Sequence, residues 1–332
     1  MSSSPFTVVP LLALTIAVAP AAEADELPPT CESSAPGVVT FRFGNVVAAR
    51  FIYQDDAISR PYFVDLKAPN GVQATRRYPP VAGQDLDDHP TFHPGLWMAF
   101  GDIDGSDYWR NKAHVEFDSF VSPPQVADGA GQFTARFRYL SQAEPRRIVC
   151  REDARIACRR VGAGYLLLWD STFSGDAPFA FGDQEEMGLG FRMATPLRSE
   201  PRERGAIPPG TGTMHDAAGR EGAAQIWGHS ADWCDYRGVI ENDVVGVTLM
   251  CHPQNFRPSW FHARDYGLLV ANPFGRHAMK QGDLSRVEVA SGERLRLRYG
   301  VWVYSAEADA KVDVDATYAA YLRLSGDQEQ AE

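Results

Sequence analysis

The chain is poor in basic residues and has no long apolar run after its first 22 residues. It has 32 lysine and arginine residues against 43 aspartate and glutamate residues, giving a formal net charge of −11 at pH 7. This charge, without a basic cluster, argues against binding to a nucleic-acid backbone. No later segment approaches the ~20 consecutive apolar residues of a membrane-spanning helix. We therefore expect neither nucleic-acid partners nor a membrane span.

Several catalytic signatures are also missing. The 332 residues contain no G-x-S-x-G nucleophile elbow and no glycine pattern for binding nucleotides or dinucleotides. No two of the five cysteines form a C-x-x-C pair, which disfavours a cysteine-based zinc site. The remaining chemically active residues are His, Glu, Asp, Arg and Trp. These residue types suit general acid–base chemistry on a polyhydroxylated substrate, with no required cofactor.

The N-terminus is typical of a secretory signal. Val8 to Ala22 is an apolar run, and Ala22-Glu23-Ala24 resembles a signal-peptidase site, although residues 1–6 carry no Lys or Arg. We predict a signal peptide at residues 1–24 and a periplasmic or secreted protein. An oxidising compartment permits disulfides, and Cys150 and Cys158 are the best candidate pair because the residues between them could close a hairpin.

Alternation of apolar and polar residues dominates the rest of the chain. In Gln132–Leu140, Phe133, Ala135, Phe137 and Tyr139 share one face, as expected for a half-buried strand. The same reasoning predicts further strands at Val38–Phe43, Ala48–Tyr53, Tyr165–Ser171, Ala223–Gly228, Val244–His252, Gly267–Ala271 and Arg294–Tyr304. Only Val314–Arg323 has the spacing of an amphipathic helix.

Many strands, few helices and long loops predict an all-β protein built as a large antiparallel β-sandwich, of the supersandwich kind, with a short C-terminal helix. We expect a disordered N-terminal segment at residues 25–37, a single domain at residues 38–324 and a disordered tail at residues 325–332. The sequence leaves the oligomeric state open.

The segment from Asp88 to Lys112 concentrates chemically active residues. It holds two His, four Asp, two Trp, an Arg and a Lys, interrupted by prolines and glycines that prevent a long regular element. Irregular backbone is where binding and catalytic groups tend to sit. Because Pro90 and Pro94 disfavour a helix, His89 and His93 do not form a helical metal-binding pair.

Three more polar clusters follow. In Gly182–Arg192, Glu186 and Arg192 are an even number of residues apart and face the same side of a regular strand. An aromatic and acidic turn at Trp227–Tyr236 is expected to serve packing or rim contacts. The segment Cys251–His262 places two His, an Asn and a Trp at the transition from a strand to a loop.

These motifs resemble a bacterial family labelled methane oxygenase-like, or PmoA-like. The resemblance covers roughly residues 38–324, and one departure is Phe92, where many members have the first of two adjacent His. It rests on Arg60-Pro-Tyr-Phe, Thr75-Arg76, Asp88-His89 through Trp109-Arg-Asn-Lys112, Glu186 through Arg192, Trp233-Cys-Asp-Tyr, His252-Pro-Gln-Asn255, Trp260-Phe-His262 and Asn272-Pro-Phe274. It implies a secreted protein associated with sugar processing and a large antiparallel sandwich. Because this chain has no spanning helix, the oxygenase label does not predict its activity.

We therefore predict a carbohydrate-active enzyme that acts on a sugar or glycoside by hydrolysis, elimination or epimerisation, with a small molecule or an oligosaccharide as substrate. The predicted catalytic residues are His93, Glu186 and His252, with Asp88 or Asp107 as the second carboxylate in a hydrolysis. The predicted substrate-binding residues are Asp88, Trp97, Trp109, Arg110, Lys112, Arg192, Asn255, Trp260, His262 and Asn272.

Two alternatives stay open. The first is a metal-dependent oxidative protein with His89, His93, His252 and His262 as ligands. The second is a non-catalytic glycan-binding module. Convergence of His93, Glu186, Arg192, His252 and His262 on one cleft would support the enzyme hypothesis.

Overall fold

The computed structural model describes residues 28–240, 242–307 and 310–326. The predicted signal peptide and residues 327–332 of the predicted tail lie outside them. The first nine strands are β1 (Pro29–Ala35), β2 (Val38–Phe43), β3 (Val46–Ile52), β4 (Tyr62–Val64), β5 (Leu96–Phe100), β6 (His114–Ala127), β7 (Ala130–Leu140), β8 (Ile148–Val161) and β9 (Gly164–Ser174). The others are β10 (Phe179–Phe181), β11 (Met187–Arg192), β12 (Thr213–Asp216), β13 (Trp233–Ile240), β14 (Asp243–Cys251), β15 (Trp260–Arg264), β16 (Leu268–Asn272), β17 (Val287–Val289) and β18 (Arg294–Ala306). The helices are α1 (Ala223–Ile226) and α2 (Val314–Ser325).

Two antiparallel sheets of eight strands each form the sandwich, which confirms the predicted fold class. The first sheet has the strand order β1-β2-β3-β4-β5-β11-β16-β15, and the second has the order β12-β13-β14-β18-β9-β8-β7-β6. Strands β10 and β17 form a separate small pair. The central strands of the first sheet come from distant parts of the chain, and this assembles the polar segments described below.

The core lies between the inner faces of the two sheets. Phe51 and Phe63 of the first sheet meet Phe133 and Trp169 of the second, with ring centroids 5.1 Å apart for Phe51 and Phe133 and 5.7 Å apart for Phe63 and Trp169. Strand β7 alternates buried and half-buried positions as its sequence predicts. Each sheet therefore turns one apolar face inward, and its outer face is free to carry polar side chains.

Each outer face also carries a smaller apolar cluster. On the first sheet this cluster includes Trp97, Trp109 and Val270. On the second sheet Tyr321 and Val314 of α2 pack against Trp302 and other residues. Helix α2 begins at the predicted residue, and the side chain of Asp313 caps it by accepting a hydrogen bond from the Ala316 amide at 2.9 Å.

Two elements differ from their prediction. Residues 29–35, within the segment expected to be disordered, form β1, which pairs with β2 and buries Cys31 against the core. The sequence signal is weak because β1 is an edge strand with mostly exposed residues. Residues 223–226, expected in a strand, form α1. A short apolar run does not distinguish a buried helix from a strand by its periodicity.

The predicted Cys150–Cys158 disulfide is wrong, because all five cysteines are free and buried. Both residues lie in the single long strand β8, without a turn between them. Eight residues of extended chain span about 26 Å, far beyond the reach of a disulfide.

Candidate functional site

Two buried arginines fasten the loop around His89 and His93 to the first sheet. Arg76 donates hydrogen bonds to the carbonyl oxygens of Asp88 at 2.7 Å and of His93 at 2.8 Å. Arg60 donates to the carbonyl oxygens of Phe92 at 2.6 Å and of Trp109 at 3.0 Å. Their role in shaping this site was missed by our residue-based reasoning, although both lie in the motifs that carried the family resemblance.

An aromatic layer lies beneath this loop, on the outer face of the first sheet. The indole ring of Trp97 crosses Gly190 of β11 so closely that a Cβ atom there would lie 2.6 Å from the ring. His93 stacks on Trp97 with centroids 5.2 Å apart, and Trp109 meets Trp97 edge-on at 5.3 Å. Trp97 is 0% exposed and Trp109 is 1% exposed. Neither ring is therefore accessible for stacking on a sugar, contrary to our expectation.

His93 is a buried member of this layer. Burial, followed by the positive charges of Arg192, Arg76 and Arg60, holds the pKa of His93 well below its usual value. The imidazole is therefore neutral at neutral pH. This geometry does not support the predicted role of His93 as an accessible proton shuttle, and favours a positioning role beside Trp97.

Arg192 of β11 anchors Asp88. Its guanidinium group donates hydrogen bonds to the two carboxylate oxygens of Asp88 at 2.7 and 2.9 Å. Burial by itself raises the pKa of Asp88, but attraction and hydrogen bonding by Arg192, with help from Arg76 and His89, outweigh it and leave the pKa lowered. The Arg192 guanidinium also lies 4.6 Å from the ring centre of Tyr266. Asp88, Arg192 and Tyr266 thus form one contiguous group.

Arg110 joins two carboxylates. It contacts Glu186 at 2.6 Å through one terminal nitrogen and Asp107 at 3.1 Å through the other. Lys112 lies 3.3 Å from the same Asp107 carboxylate. Glu186 is about one-third exposed, whereas Asp107 is mostly covered. Three residues expected at the site, together with the candidate second carboxylate Asp107, therefore form one ionic cluster.

A second ionic cluster centres on Glu185, which our sequence reasoning missed. Arg264 donates to its carboxylate at 2.9 Å, and the Nδ1–H of His262 donates to its backbone carbonyl at 3.2 Å. Burial and Arg264 lower the pKa of His262 to about 4. The two consecutive glutamates, Glu185 and Glu186, were the available sequence signal. Consecutive residues beside a strand can point in different directions, so each can form an ion pair with a different arginine.

Asn272 and Trp260 are neighbours across the β15–β16 ladder. The side-chain amide of Asn272 donates to the carbonyl oxygens of Gln184 at 2.8 Å and Glu185 at 3.0 Å. Trp260 is half-buried beside the guanidinium of Arg257, 5.5 Å from its ring centre. Asn272 therefore shapes the backbone that presents the two glutamates rather than an open binding surface.

A cleft of about 590 Å³ opens beside Asp88. One wall is formed by residues 82–83 and 85–89, and the other by Arg204, Ala206 and Ile207, with Tyr266 also lining the space. Burial raises the pKa of Tyr266, and the nearby Asp88 and Glu186 raise it further against Arg192 and Arg264. Tyr266 therefore lines the cleft, lies against Arg192 and is affected by the charge of Glu186.

His252 and Asn255 lie elsewhere. The ring of His252 packs edge-on against Tyr321 of α2, with centroids 5.9 Å apart. Asn255 bonds the backbone of Arg298 in β18, accepting from its amide at 2.7 Å and donating to its carbonyl at 3.0 Å. Both contacts belong to the second sheet, so the sandwich separates these residues from His93. The expectation of a single cleft therefore fails for His252 and Asn255.

The outer face of the first sheet concentrates buried polar atoms without hydrogen-bond partners in the described part of the chain. They are the Nε atoms of Arg60, Arg76 and Arg192, His93 Nδ1, Trp97 Nε1 and His262 Nε2. Buried polar groups normally have partners, and ordered water or a ligand supplies those that the protein lacks. This concentration supports a ligand-binding site on this face.

The proposed histidine metal site is not assembled. His89 and His93 are neighbours with ring centroids 5.2 Å apart, but His252 lies on the opposite face of the sandwich. Within residues 28–240, 242–307 and 310–326, no three His, Cys, Asp or Glu side chains are grouped so as to hold a metal ion.

In the same ranges, no helix combines the length and apolar character needed to cross a membrane.

Several solved structures share a distant likeness with the chain. The α-galactosidase AgaB of family GH36 from Geobacillus stearothermophilus has a TM-score of 0.43 at 9% identity, covering 84% of this chain and 41% of that protein. A putative kojibiose phosphorylase from the human microbiome has a TM-score of 0.37 at 9% identity, covering 90% of this chain and 36% of that protein. Slr1438 from Synechocystis sp. PCC 6803 has a TM-score of 0.34 at 11% identity, covering 89% of this chain and all of that protein.

The chain thus spans about two-fifths of the length of the first two of these proteins. TM-scores this low support no conclusion about activity. No curated protein matches the sequence.

The expected PmoA-like family is wrong, since the family that matches is a different one and no methane oxygenase family is found. The family model that does match covers residues 38–317, the range that holds the residues on which the PmoA-like resemblance rested. The chain belongs to the family described as "Family of unknown function (DUF6807)".

Proposed function

We propose that this protein is a carbohydrate-active enzyme that binds a sugar in the cleft beside Tyr266 and uses Glu186 in acid–base chemistry. The observation that carries the proposal is Tyr266, a half-buried residue that lines the 590 Å³ cleft, contacts Arg192 and feels the charge of Glu186, a partly exposed glutamate held by Arg110. Clefts of this size suit small ligands of a few sugar units.

The cleft offers suitable recognition groups. Asp87, Asp88 and Arg204 bring charged hydrogen-bonding groups to it, and Tyr266 offers an aromatic face with a polar tip. Sugar hydroxyls both donate and accept hydrogen bonds, so carboxylate acceptors and guanidinium donors serve them together. His89 lines the same cleft and is exposed, which leaves it able to contact a ligand.

The geometry favours carboxylates over imidazoles as the reacting groups. His93 is buried and neutral, and His252 lies on the other sheet. Glu186 and Asp107 occupy the two ends of one guanidinium group. Glycoside hydrolysis uses two carboxylates on either side of the scissile bond, about 5–9 Å apart. Hydrolysis with Glu186 as one carboxylate, and with Asp107 or the cleft residue Asp88 as the second, is therefore our preferred reaction. A periplasmic or secreted location stays part of the proposal.

The test is turnover by the full chain on a panel of aryl glycosides and oligosaccharides, including uronate-containing ones, measured as product release. Glu186→Gln should lower kcat by about 10²–10⁴-fold, since it removes an ionisable group without changing size. Tyr266→Ala should mainly raise KM. The matched control is Glu116→Gln. It removes an exposed carboxylate of β6, in the second sheet, that is paired with Arg138 of β7.

Wild-type kcat in Glu186→Gln would overturn the assignment of Glu186. Saturable glycan binding without turnover on any substrate, unchanged in Glu186→Gln, would instead identify a non-catalytic binding module.

A further inference from the structure

We propose that a second, separate site on the opposite face of the sandwich binds a small oxyanion, a phosphate or a carboxylate, beneath helix α2. A cavity of about 100 Å³ lies there between β8, β9, β18 and the C-terminal end of α2. The proposal does not depend on the function proposed for the first sheet.

Strand register explains why a cavity forms at this place. Arg155 of β8, Asp170 of β9 and Arg298 of β18 are direct neighbours across the sheet. Two residues further along each strand, Ala157, Leu168 and Gly300 form the next row of neighbours. Leu168 lies in the middle of this row, between Ala157, which has a short side chain, and Gly300, which has none. The long side chains of the first row therefore stand beside a depression in the second row.

Helix α2 covers this depression. The Tyr321 ring lies over Gly300, where an added Cβ atom would be 2.8 Å from the ring. Leu324 and Ser325 complete the cover, and Arg298 lies 3.4 Å from the Ser325 carbonyl oxygen. The result is a partly enclosed space with an apolar side and a cationic side.

The charge of the lining favours an anion. Among the described residues, four arginines line the cavity, Arg155, Arg159, Arg296 and Arg298, against the two acidic residues Asp128 and Asp170. Arg296 binds both carboxylate oxygens of Asp170, at 2.7 and 2.8 Å. This concentration of positive charge occurs in a chain whose formal net charge is −11.

Two of these arginines bond only to uncharged oxygens within the described residues. Arg159 donates to the backbone carbonyl of Asp128 at 3.0 Å, and Arg155 contacts the side-chain oxygen of Gln132 at 3.5 Å. Guanidinium groups recognise carboxylates and phosphates through paired hydrogen bonds, which makes these two the natural ligands for an oxyanion. The small volume admits such a group and not an oligosaccharide.

The test is isothermal titration calorimetry and thermal unfolding of the full chain with inorganic phosphate, acetate or glucuronate, against chloride at equal ionic strength. We expect saturable binding of at least one oxyanion, with Tm rising as its concentration exceeds Kd. Phosphate and the two carboxylates are titrated separately, which distinguishes the two kinds of ligand.

The variant Arg155→Gln/Arg159→Gln should lose the binding and the Tm increase. Both side chains are at least partly exposed, so the fold should persist, and the Tm without ligand checks this. Arg136→Gln is the matched control, because Arg136 lies on the same sheet face but is paired with Asp153.

Absence of saturable binding, or equal binding by the double variant, would overturn the proposal. A further variant replaces Asp327, Glu329 and Glu332 by their amides. If the added oxyanion binds this variant but not the wild type, the chain's own carboxylates are the occupant of the cavity, and the proposal is overturned.

Discussion

Asp88 and Arg192, 104 positions apart in the sequence, form a bidentate ion pair in which both carboxylate oxygens accept hydrogen bonds, at 2.7 and 2.9 Å. The Arg192 side chain is 1% exposed, whereas Asp88 is 38% exposed and stands at the edge of the cleft. This pair connects the loop that precedes β5 to the end of β11. It therefore contributes both to the stability of the fold and to the shape of the candidate site.

Asp88→Asn should destabilise the protein by about 1–3 kcal/mol at pH 7, because a buried guanidinium loses its counter-charge while the partial exposure of Asp88 softens the effect. The pKa of Asp88 is lowered in the folded state, so its stabilising contribution is present above the ordinary value of 3.8 and lost as the pH falls through the folded value. Urea denaturation at pH 7 and pH 3 measures this difference. The exposed neighbour Asp87→Asn is the control, and an equal loss there would contradict the assignment.

Gly190→Ala should destabilise the protein by about 1–3 kcal/mol, because its Cβ atom would lie 2.6 Å from the Trp97 ring. A smaller ring should relieve this contact, so Gly190→Ala/Trp97→Phe should be less destabilised than the sum of the two single variants. A double-mutant cycle of unfolding free energies measures the coupling. Additive losses would show that the two residues do not constrain each other.

Glu152 is a buried carboxyl group in the core, where Tyr139 donates to it at 2.7 Å and Ser171 also donates to it. Burial raises its pKa, although the hydrogen bonds oppose the shift. The raised value means that stability is full below the unfolded pKa near 4.5 and is lost as the pH rises toward the folded value. The free energy of unfolding of Glu152→Gln should therefore increase relative to that of the wild type as the pH rises from 4 to 8.

Thermal unfolding across that range tests the prediction, with Asp153→Asn, which removes a partner of the surface residue Arg136, as a control. A difference in Tm between wild type and Glu152→Gln that stays constant with pH would show that the carboxyl does not titrate in this range.

The five cysteines should be unreactive in the folded protein. All are free and buried, and burial raises the pKa of Cys31 and of Cys251 to about 12, which suppresses the reactive thiolate. A thiol reagent should therefore label five groups in denaturant and almost none without it. Dithiothreitol should leave Tm unchanged. A Tm that falls on reduction would reveal a disulfide and contradict the structure.

The fold class was accessible from the sequence because strand periodicity is local. The alternation in β7 and β18 follows from side chains pointing to opposite faces of a sheet, and it predicted both strands closely. Cys150 and Cys158 show the limit of local reasoning. The polar residues between them suggested a turn, whereas in β8 Arg151, Asp153 and Arg155 alternate with inward-facing residues that include Glu152.

The candidate site was only partly accessible. Glu186 and Arg110 form an ion pair, and Asp88 pairs with Arg192 of the neighbouring strand end, but Tyr266 was overlooked. It lies in the turn between β15 and β16, where Gly267 has a positive φ of 95°. An aromatic residue in an Asp-Tyr-Gly turn beside His262 was the available signal.

The sequence by itself determined the strand-rich architecture, the start of α2 and the segments that carry polar residues, because these depend on neighbours along the chain. Only the tertiary structure decided which segments meet. Strands β5, β11 and β16 are adjacent in one sheet. This adjacency gathers the segments that precede these strands, which carry Asp88, Glu186 and Tyr266 respectively. Strand β14 belongs to the other sheet, which carries His252 to the opposite face. The order of strands in a sheet depends on pairing between distant segments. The periodicity of one strand shows which of its side chains share a face, and does not predict its neighbours.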